Sequence, residues 1–171
     1  MAEHAAALLD AAEAHDFEPV HVVRSARIRL DGPPERVFPL FTPVGERAWV
    51  PGWSPRFLWP ADGEARRGTV FLTRAAGEQA TIWTVTAYEP HRRVTYARIT
   101  PGSRAGIVEV RCGRTPHGRT VARVTYTFTA LSPRGNDYLR AFTEEEFRRY
   151  VGGWEAAINT HLAGGAPPME D

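Results

Sequence analysis

Between residue 56 and residue 131 the chain repeats one pattern, and that pattern limits what it can fold into. Short runs rich in Val, Thr, Ile, Trp, Tyr and Phe occupy residues 56–59, 69–74, 79–88, 92–100, 106–113 and 120–131. β-branched and aromatic residues in such density favour extended backbone. The separators hold Gly63, Gly68, Gly77, Pro90, Pro101, Gly102, Pro116 and Gly118. Closely spaced turn signals between short strands predict an antiparallel meander. The period then changes. Over residues 137–162 the apolar residues Phe147, Val151, Trp154, Ile158 and Leu162 recur at helical spacing, with a second row at Leu139, Phe142 and Tyr150. This predicts one long amphipathic helix whose wet side carries Glu144–Glu146, Arg148 and Arg149. Thr143 and Glu146 have the spacing of a capping box, which places a break near 141–143. Gly152 and Gly153 weaken the helix by about 1 kcal/mol each relative to alanine.

Ahead of the meander, residues 20–30 alternate as a strand, with Ile28 and Leu30 set against Arg27 and Arg29. Pro33 and Pro34 turn the chain into a short helix over 35–38, which Pro39 interrupts, and a second short helix is expected over 44–49. Residues 2–15, Ala- and Leu-rich, are expected to be helical. The resulting division is an N-terminal helical extension over 1–18, one domain over 19–163 and a loose tail over 164–171. Seven strands in one antiparallel sheet leave a face to cover, and the terminal helix is the long element available to cover it. The expected fold is therefore α+β: a curved seven-stranded antiparallel sheet gripping a C-terminal helix, in the order β-α-α-β6-α. A curved sheet around one helix leaves a gap suited to a small molecule.

This order resembles the helix-grip fold of the START-like (SRPBCC) superfamily. The residues that carry the resemblance are Pro34-Glu35-Arg36-Val37-Phe38, Glu46-Arg47-Ala48-Trp49-Val50-Pro51-Gly52-Trp53, Trp83-Thr84-Val85, Tyr88-Glu89-Pro90 and Gly152-Gly153-Trp154-Glu155. The superfamily includes polyketide cyclases and aromatases, the birch-pollen-allergen group, lipid-transfer START domains and a co-chaperone-activator branch. The resemblance, to a bacterial polyketide cyclase/dehydrase-like branch, covers residues 20–162. It implies a cavity between the inner sheet face and the terminal helix. No aromatase or hydrolase signature carries over to a nameable position.

Strand alternation selects the candidate lining. Tyr126 and Phe128 are expected to face inward from the last strand, Phe71 and Trp83 from the strands before the sheet's middle, and Phe147, Val151 and Trp154 from the helix. On the strand from residue 79, Trp83, Val85 and Ala87 form one set, and Ile82, Thr84, Thr86 and Tyr88 the other. Val108, Val110 and Cys112 are expected to point in, Glu109 and Arg111 out. Trp49 and Trp53 sit in a Pro- and Gly-rich loop, where a cavity mouth or a plug over the core is expected. Tyr96 and Arg98 share a face. Turned inward, Arg98 is suited to a ligand carboxylate and Tyr96 to proton donation. With the strand the other way, Thr95, Ala97 and Ile99 line the interior. No carboxylate or histidine is expected in the cavity.

Composition narrows the chemistry. The 21 basic residues are all arginine, against 20 acidic ones, for a net charge of +1. That balance is unlike a nucleic-acid binder, and the arginine pairs are diluted by nearby acids as on a solvated surface. Without lysine there is no Schiff-base nucleophile. Cys112, the lone cysteine, reads as a small buried hydrophobe, and the six histidines form no metal-ligand pair. Neither a nucleophile elbow nor a phosphate loop is present. No metal or cofactor is expected. With no apolar span for a membrane and no secretory leader pattern, the expected location is cytoplasmic. The expected function is binding of a hydrophobic or aromatic small molecule, lipid or polyketide-like. Two alternatives stand beside it: a cyclase- or dehydratase-like enzyme in the same cavity, with Tyr96, Tyr126 and Arg98 as its candidates, and a protein-interaction module with a solid core. A homodimer through the N-terminal helix is left open.

Overall fold

Alternation in the first strand, β1 (His21–Leu30), buries Val22, Ile28 and Leu30 and leaves His21 exposed. The computed structural model describes residues 17–75, 77 and 79–165. The helix expected over 2–15 and the end of the tail lie outside that range. After β1 come α1 (Pro34–Val37) and two 3-10 turns, Phe38–Phe41 and Gly45–Ala48. Pro34 stands at the start of α1, where its missing N–H costs nothing. Pro39 likewise opens the first 3-10 turn, so the proline that interrupts α1 starts the next element.

The meander follows as β2 (Arg56–Trp59), β3 (Val70–Thr73), β4 (Thr81–Glu89), β5 (Arg93–Thr100), β6 (Arg104–Arg114) and β7 (Thr120–Ala130). One sheet holds all seven strands in the order β1-β7-β6-β5-β4-β3-β2, antiparallel throughout. The chain thus has the helix-grip α+β fold. A register shift between Val85 and Ala87 breaks the alternation of β4. Tyr88, expected in the outward set, consequently packs on the core, its ring 5.7 Å from that of Phe38.

Pro133 and Gly135, read from sequence only as the end of the last strand, open a helix of their own. In α2 (Pro133–Ala141) the Ser132 side chain accepts a hydrogen bond from the Gly135 N–H. The long helix is therefore two, and α3 (Glu144–Leu162) begins at the expected box, with Thr143 accepting from the Glu146 N–H at 3.2 Å. Arg148 and Arg149 pair with Glu144 and Glu146 on the wet side.

α3 also covers an edge of the sheet. β1 is an edge strand, and its free backbone groups need partners. The Arg29 N–H donates to Glu155 at 2.7 Å, the Asp31 N–H donates to Asn159 at 2.8 Å, and Asn159 donates back to the Arg29 carbonyl at 3.0 Å. Arg24 reaches the Phe142 carbonyl at 2.9 Å, where α2 ends. Phe147, Val151, Ile158 and Leu162 are buried beneath the helix. Each such side chain contributes roughly 1.5–3 kcal/mol when removed from water.

Two glycines differ in what they do. A Cβ on Gly45 would lie 1.9 Å from the Pro39 carbonyl oxygen, so only glycine lets the second 3-10 turn close against the first. A Cβ on Gly152 would meet nothing. In urea melts, Gly45→Ala should lose about 1–3 kcal/mol of stability through overpacking. Gly152→Ala should gain up to about 1 kcal/mol through helix propensity. A neutral Gly45→Ala variant would contradict the packing described.

Candidate functional site

Between α3, the inner sheet face and the loop around the second 3-10 turn lies a cavity of about 720 Å³. Of the side chains expected to line it, Trp49, Trp53, Phe71, Trp83, Tyr96, Arg98, Tyr126 and Trp154 do. Phe128, Phe147 and Val151, expected beside them, are packed within the core instead, at 1%, 1% and 0% exposure. The physical reason is crowding by neighbouring rings. Phe142 stands 6.0 Å from Phe128 and 5.6 Å from Phe147, and Tyr126 stands 5.2 Å from Phe147.

The aromatic wall is fixed by hydrogen bonds from its indole N–H groups. Trp49 donates its indole N–H to the Leu40 carbonyl and Trp53 donates to the Pro43 carbonyl, both at 2.8 Å. Trp83 donates to the Thr73 hydroxyl at 2.9 Å. A buried indole needs such a partner. Phe71 and Trp83 stack with ring planes 5° apart, and Trp53 meets Trp83 edge-on at 6.2 Å. Trp154 closes the helix side, 5.5 Å from Trp49. Both loop tryptophans thus serve as wall rather than plug.

The strand pair Tyr96 and Arg98 faces inward, and Ile99 faces out. Tyr96 donates its hydroxyl proton to the Phe41 carbonyl at 2.8 Å, which commits it to the loop. Its expected role as a proton donor to a ligand therefore does not fit. Arg98 lays its guanidinium over Trp83 at 4.7 Å and Phe128 at 5.5 Å. Its Nε is buried without a partner, and among the described residues its side chain makes no hydrogen bond or ion pair.

Sequence reasoning missed two polar residues. Glu46, from the second 3-10 turn, lines the cavity although no carboxylate was expected there. Burial pushes its carboxyl well above the ordinary carboxylate range, and the Arg98 charge offsets this only in part. Tyr150 lines the cavity from α3 with half its surface exposed. Signals for both were present. Glu46 stands three residues before Trp49, and Tyr150 four before Trp154, spacings that share a helical face. Tyr126 is raised well above the ordinary phenol range, chiefly by burial and secondly by Tyr150, whose ring stands 6.5 Å away. Cys112 is pushed up to about 12 by burial, so its thiol stays protonated. The described residues include no group of three or more His, Cys, Asp or Glu side chains placed to hold a metal. None of their helices is long and apolar enough to cross a membrane.

Comparison with known proteins settles the family. Residues 20–162 match the family described as polyketide cyclase / dehydrase and lipid transport. The chain belongs to that family. No curated protein matches the sequence. Among solved structures, the Mll3558 protein from Rhizobium loti is similar with a TM-score of 0.61 and 17% identity, over 82% of this chain and 99% of that one. The Aha1 dimer from Colwellia psychrerythraea gives 0.56 and 17%, over 81% and 96%. Truncated norcoclaurine synthase from Thalictrum flavum gives 0.60 and 10%, over 86% and 97%. At these identities the likeness is one of fold alone.

The buried carboxyl of Glu46 has a stability consequence with a definite sign. The unfolded chain loses this proton near pH 4.5, and the folded chain keeps it to higher pH. The contribution is therefore complete below about pH 4.5 and declines as pH rises through the raised folded value. Glu46→Gln should remove that decline. Thermal melts between pH 4 and pH 8 should show the variant gaining on the wild type as pH rises, and parallel curves would refute the assignment.

Proposed function

We propose that this family member binds a hydrophobic, aromatic or polyketide-like small molecule in the cavity between sheet and α3. The observation that carries the reading is an open space of about 720 Å³ lined by Trp49, Trp53, Trp83 and Trp154, three of whose indole N–H groups are already committed to the protein. Cavities of about 300–1,000 Å³ with apolar walls and few polar groups are the usual form of small-molecule sites. A ligand there gains roughly 25 cal/mol for each Å² of apolar surface buried, before the costs of association. The space weighs against an interaction module with a solid core. The site residues put forward are Trp49, Trp53, Phe71, Trp83, Tyr126 and Trp154 for the ring walls, with Arg98 and Glu46 as the polar groups. The setting proposed for this activity is the cytoplasm.

The test uses N-phenyl-1-naphthylamine, an uncharged apolar dye. Its emission should rise on mixing with the protein, and tryptophan emission should fall. Gly153 lies on the cavity wall, and a Cβ there would meet nothing within 4 Å. Gly153→Leu should therefore fold and yet weaken dye binding roughly tenfold or more by occupying the space. Equal dye binding by Gly153→Leu and wild type would place the dye elsewhere.

A catalytic reading is favoured by one specific observation, the Glu46 carboxyl lining the cavity with Arg98 and raised by burial. A carboxyl tuned upward by burial is suited to general acid–base work near neutral pH. That norcoclaurine synthase, a synthase by name, has a similar fold accords with this reading. It predicts that the protein speeds deuterium exchange at the central carbon of 1-(2-naphthyl)butane-1,3-dione, followed by NMR. Exchange no faster than in buffer would count against it.

A further inference from the structure

The polar groups of the cavity are arranged for a ligand of one particular charge. Arg98 projects from β5 with its Nε buried and unpartnered, and its remaining nitrogens open on the cavity. Glu46 stands on the loop side, near enough for the Arg98 charge to act on it, yet the two make no ion pair. A buried guanidinium Nε without an acceptor is costly, and the nitrogens that open on the cavity leave a place for an acceptor. The ring faces of Trp83 and Phe128 hold the guanidinium in position without using its hydrogen-bond donors.

We propose that the cavity takes a monoanionic aromatic ligand, an aryl carboxylate, with its oxyanion held between the Arg98 guanidinium and the Glu46 carboxyl. The proposal rests on the binding reading above and adds the ligand's charge and its anchoring atoms. An arginine fork matches a carboxylate in geometry as well as charge. Two carboxylates beside one arginine repel each other, and a proton on one of them relieves that repulsion. Burial raises the Glu46 carboxyl, and in its protonated form its O–H donates to the ligand while Arg98 supplies the charge.

The groups facing Glu46 do not compete for this role. Tyr96 on β5 is tied to Phe41, and Tyr126 on β7 and Tyr150 on α3 are phenols raised by burial, neutral across the physiological range. On its own turn, Arg47 lies over Phe57 at 5.5 Å. Binding is then linked to the Glu46 proton. Affinity for the anion falls as pH rises through the raised Glu46 value, by up to about tenfold per pH unit for one linked proton.

The experiment compares 2-naphthoate with 2-acetonaphthone, a neutral ligand of nearly the same shape, by displacement of N-phenyl-1-naphthylamine from the full chain between pH 5 and pH 9. At pH 6 the naphthoate should bind about tenfold or more tightly than the ketone, the yield of one charge-assisted hydrogen-bond site. Its affinity should decline with rising pH while that of the ketone stays level. Glu46→Gln should flatten the naphthoate profile. Arg98→Met, its fold checked by thermal melting, should erase the preference for naphthoate. Equal affinities for the two compounds in the wild type, with dye binding intact, would overturn the charge assignment and leave the binding reading standing. Failure of the dye and both naphthalenes to bind would overturn both.

Discussion

The structure depends on how α3 is attached to β1. An edge strand in a seven-stranded open sheet exposes a row of unpaired backbone groups, and here side chains of the helix pair with them. Glu155 and Asn159 satisfy the N–H groups of Arg29 and Asp31, and Asn159 also serves the Arg29 carbonyl. The helix is thereby held over one margin of the sheet. Because the sheet curves, the same attachment leaves the helix standing off the middle strands, and the space beneath it is the cavity. Edge protection and the cavity follow from one set of hydrogen bonds.

The second determinant is the loop between α1 and β2. Pro39 and Gly45 fold it into two successive 3-10 turns packed so closely that no side chain fits between them. This tight packing has two results. It aims Trp49 and Glu46 into the cavity, and it presents the Phe41 carbonyl to the Tyr96 hydroxyl. The loop thus binds the sheet interior through a phenol while contributing the site's one buried acid. It thereby adds a carboxyl to the Arg98 guanidinium that β5 contributes to the cavity lining.

Much of this was legible in the sequence because the strands keep a period of two and the helix one of 3.6. Those periods placed Trp83, Tyr126 and Trp154 on the inner face. Period alone fails where the backbone departs from regularity. Tyr88 changes face because of the bulge after Val85. Glu46 sits in an irregular stretch with no period, so its inward aim is set by a 3-10 turn whose closure depends on a distant steric fit. Phe128, Phe147 and Val151 have the right period but the wrong depth. Facing the helix does not distinguish lining a space from filling one, and for Phe128 and Phe147 the crowding of Phe142 and Tyr126 decides it. The orientation of Arg98 was open because arginine is at home on either face of a strand.

The commitment of the three indole N–H groups has a consequence for timing. Rings that are already tethered to Leu40, Pro43 and Thr73 do not need to be ordered when a guest arrives. The entropic penalty of complex formation then falls on the guest, and rigid fused-ring molecules lose the least. On the binding reading proposed above, discrimination among guests would be exercised in how long they stay more than in how fast they enter, because a wall that does not move offers each newcomer the same door.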